Sequence, residues 1–174
     1  MANLKPFKGI RYNPEKVGDI ATVISQPYDR VRHGLQEKYY ALNDFNVTRM
    51  IKGKEFETDN DTENVYTRAQ AFLKKWLAEG VLQKEEKPAL YVYHQDFMLN
   101  GKSVTRKAII SALELARFEE GIVLPHERTH DGPKMDRLNL TRATEAYYGN
   151  IFILYPDAEN KIDTILDAAI QRDP

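Results

Sequence analysis

The stretch Leu90-Tyr-Val-Tyr-His-Gln-Asp-Phe97, followed by Asn100-Gly101 and by a segment running from Thr105 through Ala108-Ile-Ile110, decides the fold class. Its first limb is rich in aromatic and β-branched residues, side chains that fit a pleated, half-buried surface. Asn-Gly tolerates positive φ at both central positions of a tight hairpin turn, so the second limb is predicted to return antiparallel to the first. Leu113 and Leu115 either extend the returning strand or bend away from it.

Around this hairpin the pattern is largely helical. In residues 63–79, Val65, Ala69, Phe72, Leu73, Trp76 and Leu77 fall on one face at helical spacing, and Gly80 suits the C-terminal cap. Trp76 belongs to that stripe and is therefore read as core, not as a stacking residue for a ligand. Further helices are expected over 35–42, 134–146 and 163–170. Strands are expected over 7–12, 20–25, 46–51 and 122–125, with a buried one over 150–155, where Ile-Phe-Ile-Leu runs without interruption. Gln26-Pro-Tyr-Asp-Arg30 reads as a turn, Pro27 biasing Gln26 towards extended geometry. The expected fold is α+β: a mixed, partly antiparallel sheet with flanking helices. Long alternating β/α units are missing, which argues against a doubly wound nucleotide fold.

At 174 residues the chain is one domain by the usual length prior. Lys and Arg number 25 against 26 Asp and Glu, a net charge of −1, which counts against a nucleic-acid coat or a strongly membrane-attracted surface. The absence of cysteine excludes disulfides, thiolate zinc sites and a cysteine nucleophile. No apolar run approaches the ~20 residues that span a bilayer, and Met1-Ala-Asn-Leu-Lys-Pro-Phe7 is not a signal peptide. A cytoplasmic setting is the expectation, without a membrane partner.

The chemistry-bearing stretch is Ile122-Val-Leu-Pro-His-Glu-Arg-Thr-His130 with Asp131-Gly-Pro-Lys-Met-Asp-Arg137. An apolar segment delivers a charged cluster to a helix start, where unpaired N–H groups and the positive dipole end favour anions. His126 or Glu127 supplies a base, Asp136 an acid or metal ligand, and Arg128, Lys134 and Arg137 cations for a phosphate. Lys134, Arg137 and Thr141 share one helix face. Arg137 is the first choice for a bidentate oxyanion contact, because its guanidinium fork matches phosphate and carboxylate oxygens. The plainer alternatives are that Asp131 caps the helix and that Arg137 pairs with Asp136 or Glu145, worth little at a surface. Arg142 is read as structural or solvated.

Tyr28 and Asp29, in a loop after an apolar segment, form a second candidate; a plain turn with Asp29 bonding its own backbone is the better reading of those residues alone. Of the four histidines, His33 falls in a polar loop and His94 in a strand. His126 and His130 lie four apart across a turn, unlike the helical His-Glu-x-x-His zinc motif, so no structural metal is expected. Mg²⁺ carried by a phosphate, with Glu127, Asp136 or Asp29 assisting, is compatible with the donor types.

Pro6-Phe7, Gln26-Pro-Tyr-Asp29, Asn46-Val-Thr-Arg49, Pro125-His-Glu-Arg-Thr129, Gly132-Pro-Lys-x-Asp-Arg137, Arg142-Ala-Thr144 and Ile151-Phe-Ile-Leu-Tyr155 together resemble the DUF1015 proteins of bacteria and archaea, nearly end to end. Members are usually much longer, so the resemblance implies that residues 1–174 are the N-terminal part of a larger architecture, with its C-terminal domain as partner. It also implies a ParB/sulfiredoxin-like fold, a group that binds nucleotide phosphates at a short charged motif between strand and helix and that includes a free-serine kinase. On that basis His126-Glu-Arg-Thr129 lies beside the phosphate. Arg128, Thr129 and Arg137 hold it, Glu127 or His126 moves the proton of a hydroxyl, and Tyr28 and Asp29 define a small substrate.

The function expected is therefore a phosphotransferase or phosphatase domain acting on a small phosphorylated ligand, serine or phosphoserine first, with ATP or ADP and Mg²⁺ as cofactor. The rivals are a non-catalytic nucleotide-binding switch and a ParB-like nucleic-acid module. The near-neutral charge weighs against the last.

Overall fold

The computed structural model describes residues 2–32, 34–125 and 130–172. In chain order the elements begin with β1 (Leu4–Lys5), β2 (Ile10–Tyr12) and α1 (Pro14–Val17), then 3-10 turns at Ile20–Thr22 and Tyr28–Arg30. Next come α2 (Leu35–Leu42), α3 (Thr48–Ile51), α4 (Val65–Ala78) and β3 (Leu82–Lys84). The hairpin β4 (Tyr91–Leu99) and β5 (Lys102–Ile110) follows, then β6 (Ala112–Leu113), a 3-10 turn at Phe118–Glu120, α5 (Asp131–Thr144) and α6 (Lys161–Arg172). The chain is mixed α+β, and among the described residues its strands form three separate two-stranded antiparallel sheets, not one larger sheet. It divides into two compact units, one of Ile10–Glu85 with His126–Gly149, the other of Met1–Gly9, Glu86–Pro125 and Asn150–Pro174.

The first unit owns the core. Val17, Val23, Met50, Ala69, Leu73, Trp76, Val81, Leu82 and Leu140 form one buried cluster. Trp76 is 2 % exposed, with the rings of Phe72, Phe45 and Tyr12 at 5.6, 5.8 and 6.3 Å; aromatic pairs in this range add to simple burial. The helix carrying it starts at a reciprocal cap: the Asn64 side chain accepts from the N–H of Tyr66 and Thr67, while the Thr67 hydroxyl accepts from the Asn64 N–H. It ends at Gly80, whose φ of 68° is open to glycine without a Cβ penalty. β2 and β3 pair beneath it, Tyr12 opposite Leu82, and the Tyr12 hydroxyl donates to the Phe45 carbonyl at 2.8 Å.

Two expected strands of this unit are helical turns. Over 20–25 the chain makes a 3-10 turn because Asp19 caps it, its carboxylate accepting from the Ala21 N–H. Over 46–51 it makes α3, because the Asn46 side chain accepts from the Thr48 N–H and closes a local turn. The same Asn46 is fully buried and donates to the carbonyls of Thr22 and Ile24 at 2.8 and 3.0 Å. Farther along, Arg68 clamps the loop before α4. Its guanidinium makes a paired contact with Asp59 at 2.7 and 2.8 Å and donates to the Lys54 carbonyl.

In the second unit β4 and β5 pair in register from Tyr91 opposite Ile110 to Leu99 opposite Lys102, with Asn100 and Gly101 both at positive φ as the turn requires. Leu113 does not prolong β5 but pairs with Leu4 of β1. Phe7 makes only an isolated bridge to Ala89, so the strand expected over 7–12 is reduced to β2. Gly9 donates its N–H to the Tyr91 hydroxyl at 2.7 Å, and a Cβ there would meet that same oxygen. Lys107 ties the hairpin to α6 through Asp167 at 2.8 Å and Asp163 at 3.7 Å.

The strands expected over 122–125 and 150–155 are not formed. Ile151 is 71 % and Leu154 83 % exposed. A continuous apolar run signals desolvation, whereas a strand also needs a hydrogen-bonding neighbour, and among the described residues neither segment pairs with one. α6 starts two residues before the expected 163, because the Asp157 carboxylate accepts from the N–H groups of Lys161, Ile162 and Asp163. α5 likewise begins at Asp131 rather than 134, Pro133 being tolerated in a first turn. Among the described residues no helix is long and apolar enough to cross a membrane. His33 lies outside the described residues.

Asn46→Ala would strand two buried carbonyls and one N–H; an expected loss of about 1–3 kcal/mol in urea unfolding follows, and a loss under about 0.5 kcal/mol would contradict the account. The Arg68 hydrogen bonds hold the Asp59 carboxyl below the usual carboxylate range. The stability this gives is complete above the unfolded carboxylate value of about 4 and disappears as pH falls through the depressed folded value. Asp59→Asn is expected to flatten that part of the acid limb; an unaltered pH profile would remove the pair from the ledger.

Candidate functional site

Two motifs distant in sequence meet in the larger unit. Asn46 pins the carbonyls of Thr22 and Ile24, and the Val47 N–H donates to the Val23 carbonyl at 2.8 Å. The chain then runs out through Ser25 to Gln26, whose N–H donates to the Tyr39 hydroxyl. Pro27 precedes the 3-10 turn and has no N–H of its own to satisfy. The turn is closed by Arg32, whose Nε donates to the Asp29 carbonyl at 2.9 Å. Tyr28 is thereby held half-buried, with Asp29 exposed.

The ring of Tyr28 lies against Arg137 of α5, its centroid 3.9 Å from the guanidinium carbon. Arg137 is otherwise engaged along one edge. Its Nε and Nη2 both donate to Asp136, the former at 2.9 Å, and Nη2 also donates to the Ile51 carbonyl at 2.9 Å. The other oxygen of Asp136 accepts from the Tyr66 hydroxyl at 3.0 Å. Burial first, and then the Asp136 carboxylate, raise the Tyr66 pKa above its ordinary value and keep the phenol a donor. The fork thus holds the neighbouring carboxylate, one of the two plainer pairings expected for Arg137. With side chains 30 % and 37 % exposed, the pair belongs to the class worth roughly 0–1 kcal/mol, so a better anion can compete for it.

Other candidates fall less centrally. Lys134 is exposed and sits 3.7 Å from Asp131. Asp131 is not the cap of α5: His130 occupies the cap position without a side-chain bond, and Asp131 is the first helical residue. His126, Glu127, Arg128 and Thr129 lie outside the described residues. Tyr66 and the Ile51 carbonyl were not singled out by sequence. A tyrosine inside an amphipathic helix reads as packing, and a backbone carbonyl leaves no mark in side-chain pattern.

The space beside Arg137 is small. A crevice lined by Met50, Ile51, Tyr66, Asp136, Arg137 and others has a volume of about 20 Å³, room for one water. It shares Lys52, Gly53 and Glu55 with an open depression of about 370 Å³ that continues to Arg32, Gly34, Gln36 and Glu37. Small-molecule sites start near 300 Å³. The depression has the size for a metabolite, and the crevice has not. Among the described residues no group of three or more His, Asp and Glu side chains is placed to hold a metal ion. Of the two Asp136 oxygens, one accepts from Arg137 and the other only from the Tyr66 hydroxyl.

A double-mutant cycle of Tyr28→Leu and Arg137→Gln is expected to give a coupling of about 0.5–1 kcal/mol in unfolding free energy, the range for an exposed cation–π pair. Strict additivity would contradict the stack.

The family model described as "Protein of unknown function (DUF1015)" matches residues 4–174, and the chain belongs to that family. No curated protein matches the chain, and no solved structure does.

Proposed function

We propose that this DUF1015 chain is a phosphate-handling domain, a phosphotransferase or phosphatase acting on a small hydroxylated or phosphorylated metabolite, with serine or phosphoserine the first candidate. The observation that carries the reading is the meeting of Tyr28, from the Gln-Pro-Tyr-Asp loop, with Arg137 of α5. A loop residue is aimed at a cation on a helix whose first turn has no side-chain cap. The positive end of the helix dipole and a nearby guanidinium both favour an anion. Phosphoryl transfer asks mainly for positioning and charge stabilisation, which this set of groups can supply. In the proposal Arg137, Arg128, Thr129 and Lys134 receive the phosphate, and His126 or Glu127 moves the hydroxyl proton. Tyr28 and Asp29 bound the substrate, and Asp136 governs the availability of Arg137. A cytoplasmic setting, a ParB/sulfiredoxin-like fold and cooperation with a C-terminal domain belong to the same proposal.

A second reading, a non-catalytic switch that binds ATP or ADP with Mg²⁺, is favoured by one observation. The Nε and Nη2 of Arg137 are already taken by Asp136 and Ile51, so ligand entry at that edge must rearrange protein contacts, which is what a switch needs. The near-balance of 25 basic and 26 acidic residues counts against a nucleic-acid module.

Thermal-shift titration with phosphoserine, inorganic phosphate, pyrophosphate, ADP and ATP, each with and without Mg²⁺, tests both readings, since a ligand of the folded state raises the melting temperature. A shift with phosphoserine that weakens at least several-fold in Arg137→Ala is expected. Turnover then separates enzyme from switch. Equal shifts in wild type and Arg137→Ala would overturn the assignment of Arg137.

A further inference from the structure

We infer that the Nε/Nη2 edge of Arg137 is an anion site filled in the free chain by Asp136, and that it takes ligands bearing a dianionic phosphate monoester in preference to carboxylates and phosphodiesters. The inference rests on the phosphate-handling reading and deepens it by naming the ligand class. Its first support is geometric. Two guanidinium nitrogens converge on one Asp136 oxygen, and Nη2 also serves the Ile51 carbonyl. An incoming anion that wants this edge must therefore displace a carboxylate tethered on the adjacent residue, and a tether gives that carboxylate a high effective concentration.

The second support is steric. The crevice at Arg137 has only about 20 Å³, so a phosphate group enters by moving a side chain rather than by filling vacant space. Asp136 is the group with somewhere to go. Its other oxygen already accepts from the Tyr66 hydroxyl, and Tyr66, held as a donor, can keep the carboxylate once Arg137 lets it go. Tyr28 stacks on the face of the guanidinium and leaves the edge as the route of exchange. The open depression that shares Lys52, Gly53 and Glu55 with the crevice gives the body of the ligand its place.

Charge then sets selectivity. A carboxylate or a phosphodiester brings one negative charge and competes with Asp136 on level terms, against the tether. A phosphate monoester brings close to two charges at neutral pH and three acceptor oxygens, enough to replace the Asp136 carboxylate on both guanidinium nitrogens and keep an oxygen for a further donor. The site would thus pass over a nucleic-acid backbone, whose phosphates are diesters, and accept a small phosphorylated metabolite.

The test is calorimetric titration of the 174-residue chain with phosphoserine, diethyl phosphate and acetate, at fixed pH and salt, in wild type, Asp136→Asn, Asp136→Glu and Arg137→Ala. In wild type, phosphoserine should bind on the order of ten-fold or more tightly than either monoanion. Asp136→Asn should tighten all three and shrink that difference. Asp136→Glu retains the charge but lengthens the tether, so it should move in the same direction; simple like-charge repulsion by Asp136 would leave it at the wild-type value and defeat the inference. Equal wild-type affinity for diester and monoester would also overturn it, without any variant having to fold. Failure of every chain to bind any of the ligands, or undiminished binding in Arg137→Ala, would sink the phosphate reading itself.

Discussion

The buried amide of Asn46 is the constraint on which the described part of the site depends. With no exposed surface, it accepts from the Thr48 N–H and donates to the carbonyls of Thr22 and Ile24. These bonds do two things at once. They start α3, which carries Ile51 to Arg137, and they anchor the chain that carries Tyr28 to the same guanidinium. A buried amide left unpaired is costly, so the arrangement is all-or-none. The Trp76 cluster supplies the apolar burial behind it, but apolar packing alone is non-directional and would not fix where Tyr28 points.

Around Arg137 the molecule spends polar groups in a way that core packing does not require. A guanidinium on a helix surface could be solvated at no structural cost. Here it is stacked by a tyrosine, bonded to a carbonyl from α3 and paired with a carboxylate that a second tyrosine holds from behind. Each contact is individually weak, and the Asp136 pair, being partly exposed, is the weakest to rely on for stability. Such a network orients a cation more than it stabilises a fold. Orientation is what anion recognition by arginine needs.

Much of the regular structure was legible in the sequence. The residues 35–42 form α2 with the expected bounds, α4 follows the apolar stripe through Trp76, and the Asn100-Gly101 turn joins β4 to β5. These elements are specified locally, by periodicity, capping or turn chemistry. What was misread depends on partners elsewhere. The residues 46–51 have strand-like composition, yet the Asn46 side chain accepts from the Thr48 N–H, donates to two distant carbonyls and turns the chain into α3. Residues 150–155 carry an apolar pattern but, among the described residues, pair with no strand. The start of α6 depends on Asp157, four residues before Lys161, outside the usual cap position. At the site, Tyr28, Asp136 and Arg137 were named from their chemistry, but their proximity could not be. Tyr66 and Ile51 escaped because one looked like packing and the other acts through its backbone.

The central claim is that Arg137 is the group an anionic ligand engages, in exchange for Asp136. The most direct measurement follows the Arg137 side-chain Nε–H resonance by ¹⁵N-correlated NMR while phosphoserine is added, with Arg137→Lys identifying the signal. The account predicts a saturable displacement of that resonance as the Asp136 bond is traded for a phosphate bond. Saturable binding that leaves the Arg137 resonance unmoved would contradict it.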